Sequence, residues 1–199
     1  MKPLLAAHVV ISGFCQTVDR PTGCQRIWME LRRLCSPETQ VLLGEWNSNW
    51  EKLAEAIFLC SRVGDYPREE DHPRVFVYAY SWGAGCGFPR FASALALRGI
   101  MVQEAVLCDP IYRPRMLPSW CTGWLSLIRT MRVAVPWNVK EVRGVRQKDT
   151  FLRGHDVVKE DPGQKTRIHK FLEVRAGHCH IDDSPLFLDM CMKTAGIEL

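Results

Sequence analysis

The sequence predicts an α/β protein: a doubly wound, mostly parallel sheet of about six strands with helices on both faces. Three observations predict it. Continuous apolar runs, "LLAAHVVISG" the first, have the unbroken character of strands covered on both sides. These runs alternate with stretches whose apolar residues recur every three or four positions, the spacing of a helix face. Glycines, prolines and an Asp-Pro step punctuate the junctions.

Each element follows from its own residues. After "LLAAHVVISG" and the turn "TVDRPTG", the stretch "CQRIWMELRRL" puts Ile27, Leu31 and Leu34 on one helical face. "TQVLLGEW" reads as the next strand. "NWEKLAEAIFLC" reads as a helix with Leu53, Ile57 and Cys60 on one side. The polar loop "GDYPREEDHP" leads to "RVFVYAY", a central strand. "FPRFASALALRG" is a helix carrying Phe91 and Leu95, with Pro89 in its first turn and Gly99 at its C-cap. "VQEAVLCDP", "VKEVRGVRQ" and "RIHKFLEVRA" read as three further strands. "SPLFLDMCMKTAG" closes the chain as a helix, with Ser184 as N-cap, Pro185 at the first helical position and Gly196 past the end. One segment breaks the rhythm: residues 112–137, rich in Pro, Trp and Leu, are too long for a tight connection. They read either as a helix packed on the sheet or as a cap whose Trp120, Trp124 and Leu127 face an apolar substrate.

The totals limit the function classes. The 199 residues suit one domain, 1–199, and 47% hydrophobic with 24% charged residues is an ordinary globular mix. No apolar run approaches the ~20 residues that span a bilayer. The opening "MKPLLAAHVVISGFC" is broken by His8 and has no small-x-small cleavage site, so it reads as a buried strand, not a signal peptide, and a cytoplasmic location is expected. Nine cysteines without a C-x-x-C pair fit reduced, buried thiols and speak against a zinc site. The net charge of +4 is modest; the basic stretch from Arg113 to Arg175 reads as solvated surface, with a nucleic-acid or anionic-lipid patch as the alternative.

In a parallel sheet the functional groups gather beyond the carboxyl ends of the strands. "RVFVYAY" ends at Ser81, followed by "WGAGCGF". A serine hydroxyl needs a base, steric freedom and donors for a developing oxyanion, and a sharp strand-to-helix elbow provides the last two. Ala79 and Gly83 are the small residues two before and two after Ser81, an A-x-S-x-G pattern. The Trp82 amide is one oxyanion donor; the other is expected after "AHVVIS", at the Phe14 amide, with Cys15 or Gln16 in support. The base is expected after the last strand, where "AGHCHIDD" offers His178, with His180 as the alternative. The same pair with Asp182 or Asp183 could instead hold a metal. The acid candidate is Asp109, which ends "EAVLC" before Pro110; Asp149 and Asp156 are its rivals.

On "YSWGAG", "LCDP" and "AGHCHIDD", and on the chain order Ser81, Asp109, His178, the sequence resembles the α/β-hydrolase superfamily, closest to small lipase- or cutinase-like serine esterases. The resemblance implies a minimal α/β-hydrolase fold whose sheet begins near the family's third strand. It also implies a lid or cap at 112–137 and cleavage of an ester or lipid substrate without a metal or organic cofactor. Ala79 departs from the family's first glycine, and "GAGCGFP" is expected to delay the elbow helix until Pro89 restarts it. The alternative is a non-catalytic protein of the same fold that binds a partner through 112–137.

Overall fold

In a computed structural model, the protein is described over residues 5–14, 16, 22–61, 72–112, 131–148 and 153–198. Its elements in chain order are β1 (Ala6–Ser12), α1 (Gly23–Leu34), β2 (Thr39–Glu45), α2 (Trp50–Ser61), β3 (Arg74–Tyr80), α3 (Phe88–Ala96), β4 (Val102–Cys108), β5 (Arg132–Val135), β6 (Val139–Gln147), β7 (Asp156–Lys159), β8 (Arg167–Ile168), β9 (Leu172–Val174) and α4 (Pro185–Thr194). The main sheet has seven strands in the order β2-β1-β3-β4-β6, with β8 and β9 both on the outer side of β6. Every pairing in it is parallel.

Burial on both faces explains the unbroken apolar runs. Successive side chains of a strand point to opposite faces. Along β1, Val9 and Ile11 join the core beneath α2 and α3, with Trp50, Ile57, Phe88 and Phe91. Val10 joins the opposite core beneath α1 and α4, with Ile27, Leu31, Phe187 and Cys191. A strand that feeds two cores cannot alternate apolar with polar. The helices are doubly wound as their periodicities predict. Ser184 Oγ accepts from the Phe187 amide at the start of α4, and Gly196 ends that helix at φ 74°.

One expected strand requires correction. "RIHKFLEVRA" is not one strand: it forms the two-residue β8 and the three-residue β9, separated by a kink at which Phe171 turns into the core. Two short strands were not foreseen at all. β5 and β7 pair with each other in a separate two-stranded parallel sheet. β5 falls within 112–137, and its Val133 and Val135 are fully buried. Trp120, Trp124 and Leu127 lie outside the described residues.

Candidate active site

The strand order reverses at β1: the chain runs from β1 to β2 on one side and returns to β3 on the other. Ligand crevices of open parallel sheets lie at this kind of switch point, beyond the carboxyl ends of the strands. Ser81 follows β3 there. Its φ is 53°, a left-handed conformation that costs a non-glycine residue about 1 kcal/mol or more. The backbone around it enforces that turn. Ser81 N–H donates to Cys108 O (3.0 Å), while its carbonyl accepts from the amides of Gly85 (2.9 Å) and Ile111 (3.0 Å).

The helix after Ser81 starts without delay, contrary to the expectation for "GAGCGFP". Gly83–Gly87 form one π-helical turn, closed by the Phe88 amide on Gly83 O, which runs directly into α3. Pro89 falls in the first regular turn, where a missing N–H costs little. Gly83 is required by contact: a Cβ there would stand 2.5 Å from the carbonyl oxygens of Ile11 and Ser12. The elbow thus presses against the end of β1, and Ala79, fully buried, is the small residue on its other side.

Ser81 Oγ lies 2.8 Å from Nε2 of His178, and Nδ1 of the same ring lies 2.5 Å from Oδ2 of Asp109. Asp109 bears only acceptors when ionised, so Nδ1 carries the hydrogen and Nε2 is left to accept from the serine hydroxyl. Asp109 directly follows β4, is fully buried, and has a φ of 42°. Its carboxylate is held from the β6 side as well. Gln147 donates its Nε2–H at 2.9 Å and its amide at 3.3 Å, and the Gly154 amide donates at 2.9 Å. His178 opens a 3-10 turn, His178–Asp183, and its carbonyl accepts from Tyr80 Oη at 2.5 Å. Burial raises the Tyr80 phenol well above its ordinary range, so it remains a donor.

The sequence candidates sort cleanly. Ser81, Asp109 and His178 converge. His180 does not hold the base position: it is exposed, and His178 occupies the place between serine and carboxylate. Asp156 is exposed in β7 and pairs with Arg146 at 3.0 Å, whereas the carboxylate that meets His178 is that of Asp109. Asp149 lies outside the described residues. The residues named for the metal alternative have other partners. His178 spends both ring nitrogens on Ser81 and Asp109, Asp182 receives Gln16, and Asp183 pairs with Arg26 at 3.1 Å. Among the described residues, no three His, Cys, Asp or Glu side chains gather as ligands.

Of the expected oxyanion donors, Trp82 directly follows Ser81 at the head of the elbow helix and Phe14 follows β1 at the switch point. Their rings touch, with centroids 4.3 Å apart. Cys15 lies outside the described residues, and the side chain of Gln16 is engaged elsewhere. Its Oε1 accepts the Gly13 amide at 3.0 Å and its Nε2 donates to Asp182 at 2.6 Å, so it braces the loop after β1 against the turn that carries His178. Burial raises the Asp182 carboxyl above its usual range, with the bond from Gln16 opposing. Sequence reasoning missed Gln147, Gly154, Tyr80 and the Gln16–Asp182 pair. Only Gln147, the last residue of a strand beside the acid, carried a signal, namely its position at the carboxyl edge.

No protein-family model matches the chain, and no curated protein matches it as a relative.

Proposed function

We propose that this chain is a serine hydrolase of the α/β-hydrolase type that cleaves carboxylic esters through an acyl-enzyme. One observation carries the reading: the unbroken line from Ser81 Oγ through the His178 ring to the buried Asp109 carboxylate, mounted on a strained strand-to-helix elbow. The strand order β2-β1-β3-β4-β6 supports it, since it leaves serine, acid and histidine at one edge of the sheet.

In this mechanism His178 Nε2 takes the Ser81 proton as Oγ attacks the ester carbonyl carbon. The amides of Trp82 and Phe14 hold the resulting oxyanion, each worth on the order of 100- to 1000-fold in rate. When the tetrahedral intermediate collapses, the C–O bond to the alcohol breaks and Nε2 returns the proton to the leaving oxygen. Water then gives its proton to Nε2, attacks the acyl-serine, and releases the acid as Oγ is reprotonated. Asp109 keeps Nδ1 protonated and stabilises the imidazolium in both halves. These steps use only side chains, backbone amides and water. The substrate class is an apolar ester or lipid.

Ser81 is 5% exposed and the His178 side chain 10%, so the reacting atoms work in a largely dry environment that strengthens the hydrogen bonds around them. Access is therefore part of the test. A small fluorophosphonate is expected to label the native chain at Ser81, and Ser81→Ala is expected to abolish the label. A folded chain that takes no label and turns over no ester overturns this reading and favours the alternative, a partner-binding protein on this fold.

A further inference from the structure

Three neighbouring strands each release an aromatic residue at their carboxyl ends. Phe14 lies two residues after β1, Trp46 directly after β2, and Trp82 two residues after β3. The three rings form one cluster. Phe14 and Trp82 are 4.3 Å apart, Trp46 and Trp82 stand edge-on at 5.1 Å, and Phe14 and Trp46 edge-on at 6.2 Å. Trp82 is buried beneath the other two, whereas Phe14 is 46% exposed and Trp46 is partly exposed. Phe14 and Trp46 thus leave aromatic surface open beside the elbow. The cluster adjoins the nucleophile directly: a Cβ at Gly13, the residue before Phe14, would lie 2.9 Å from Ser81 Cβ.

We infer that Phe14 and Trp46 form the subsite for the acyl group of the substrate and select a flat, apolar or aromatic acyl chain. The inference rests on the hydrolase reading and follows from the geometry of its tetrahedral intermediate. That carbon has four substituents. Oγ is one. The oxyanion faces the amides of Phe14 and Trp82. The leaving oxygen must come within reach of His178 Nε2, which is presented by a turn packed on α1 and α4. The acyl substituent takes the remaining direction, away from the histidine and over β1 and β2. Trp46 lies on that side. It stands beside the elbow helix on the face of α2 and α3, where a Cβ at Gly87 would be 3.3 Å from Trp46 Cα. A planar acyl group laid there gains ring contact with Phe14 and with Trp46, while the alcohol remains unselected by either.

The experiment compares kcat/KM for p-nitrophenyl phenylacetate and p-nitrophenyl acetate, which differ only in the acyl group, and for 2-phenylethyl acetate and ethyl acetate, which differ only in the alcohol. The native chain is expected to prefer phenylacetyl over acetyl. Phe14→Ala and Trp46→Ala are each expected to lower that preference about tenfold. Phe14→Leu, which keeps apolar bulk, is expected to fall in between, and the alcohol preference is expected not to move. Phe14 is half exposed and every variant keeps a backbone amide at position 14, so fluorophosphonate labelling of each variant checks that the site is intact before preferences are compared. A fluorophosphonate-reactive chain whose acyl preference is unchanged by these substitutions overturns the subsite and leaves the hydrolase reading intact. A shift confined to the alcohol pair overturns the acyl assignment. A native chain with neither label nor turnover overturns the hydrolase reading, and the subsite with it.

Discussion

Asp109 occupies a left-handed backbone conformation at full burial, two conditions that each cost stability for a carboxylate-bearing residue. The donors around it offset both. His178 Nδ1, Gln147 Nε2 and the amides of Gln147 and Gly154 converge on its two oxygens and leave it one orientation. Under the proposed function, Asp109→Asn presents an amide in place of an acceptor, favours the wrong tautomer of His178, and is expected to lower kcat on the order of 10⁴-fold with the chain still folded. Gln147→Ala removes one donor and leaves the carboxylate less firmly oriented. Its expected loss in kcat is smaller, about 10- to 100-fold, with KM nearly unchanged, because the base is misaligned while the substrate surface is untouched. Steady-state kinetics on the best ester separates the two. Equal losses, or a loss confined to KM, would remove Gln147 from the positioning of the acid.

At the scale of elements, the elbow depends on one close approach. Gly83 fits against Ile11 O and Ser12 O because it has no Cβ. Backbone atoms cannot swing aside as a flexible side chain can, so Gly83→Ala must open the junction of β1 and β3. The expected cost is about 3 kcal/mol or more, read as a lower denaturant midpoint, together with loss of fluorophosphonate labelling. This element was legible in advance because the strand "RVFVYAY", the serine and the small residues lie within one short window. Asp109 and His178 were legible for a related reason: each directly follows a strand or its turn, and strand ends are where a parallel sheet gathers its chemistry. What was not legible lies across the sequence. The side chain of Gln16 meets Asp182, and that of Gln147 meets Asp109, through tertiary distances that no local period encodes. β5 and β7 are four residues each and pair outside the main sheet, so neither produces the long apolar run by which the central strands announce themselves. The π turn was hidden by Pro89, whose ordinary meaning is a helix start.

Across the whole molecule, the two cores meet through β1, β3 and β4, and the core beneath α1 and α4 contains one polar contact with a thermodynamic signature. His8, 4% exposed in the middle of β1, stacks on Phe76 and has Nδ1 2.8 Å from Tyr78 Oη. Burial keeps Tyr78 protonated, so its O–H donates to Nδ1 and the ring is held neutral. Burial, assisted by the charge of Arg74, lowers the His8 pKa from 6.5 to about 4. An unfolded chain regains the ordinary value. Between those two values the unfolded state binds a proton that the native state refuses, so unfolding is favoured as pH falls through this window. The stabilisation is complete above about pH 6.5 and is lost progressively toward about pH 4, amounting to about 3 kcal/mol. His8→Gln preserves an acceptor for Tyr78 and cannot be protonated. Its urea midpoint is therefore expected to change far less than that of the native chain between about pH 7 and about pH 4.5, even though it starts from a lower value where the imidazole packed better. Parallel acid limbs for the two proteins would show that His8 is not the group whose protonation opens the core.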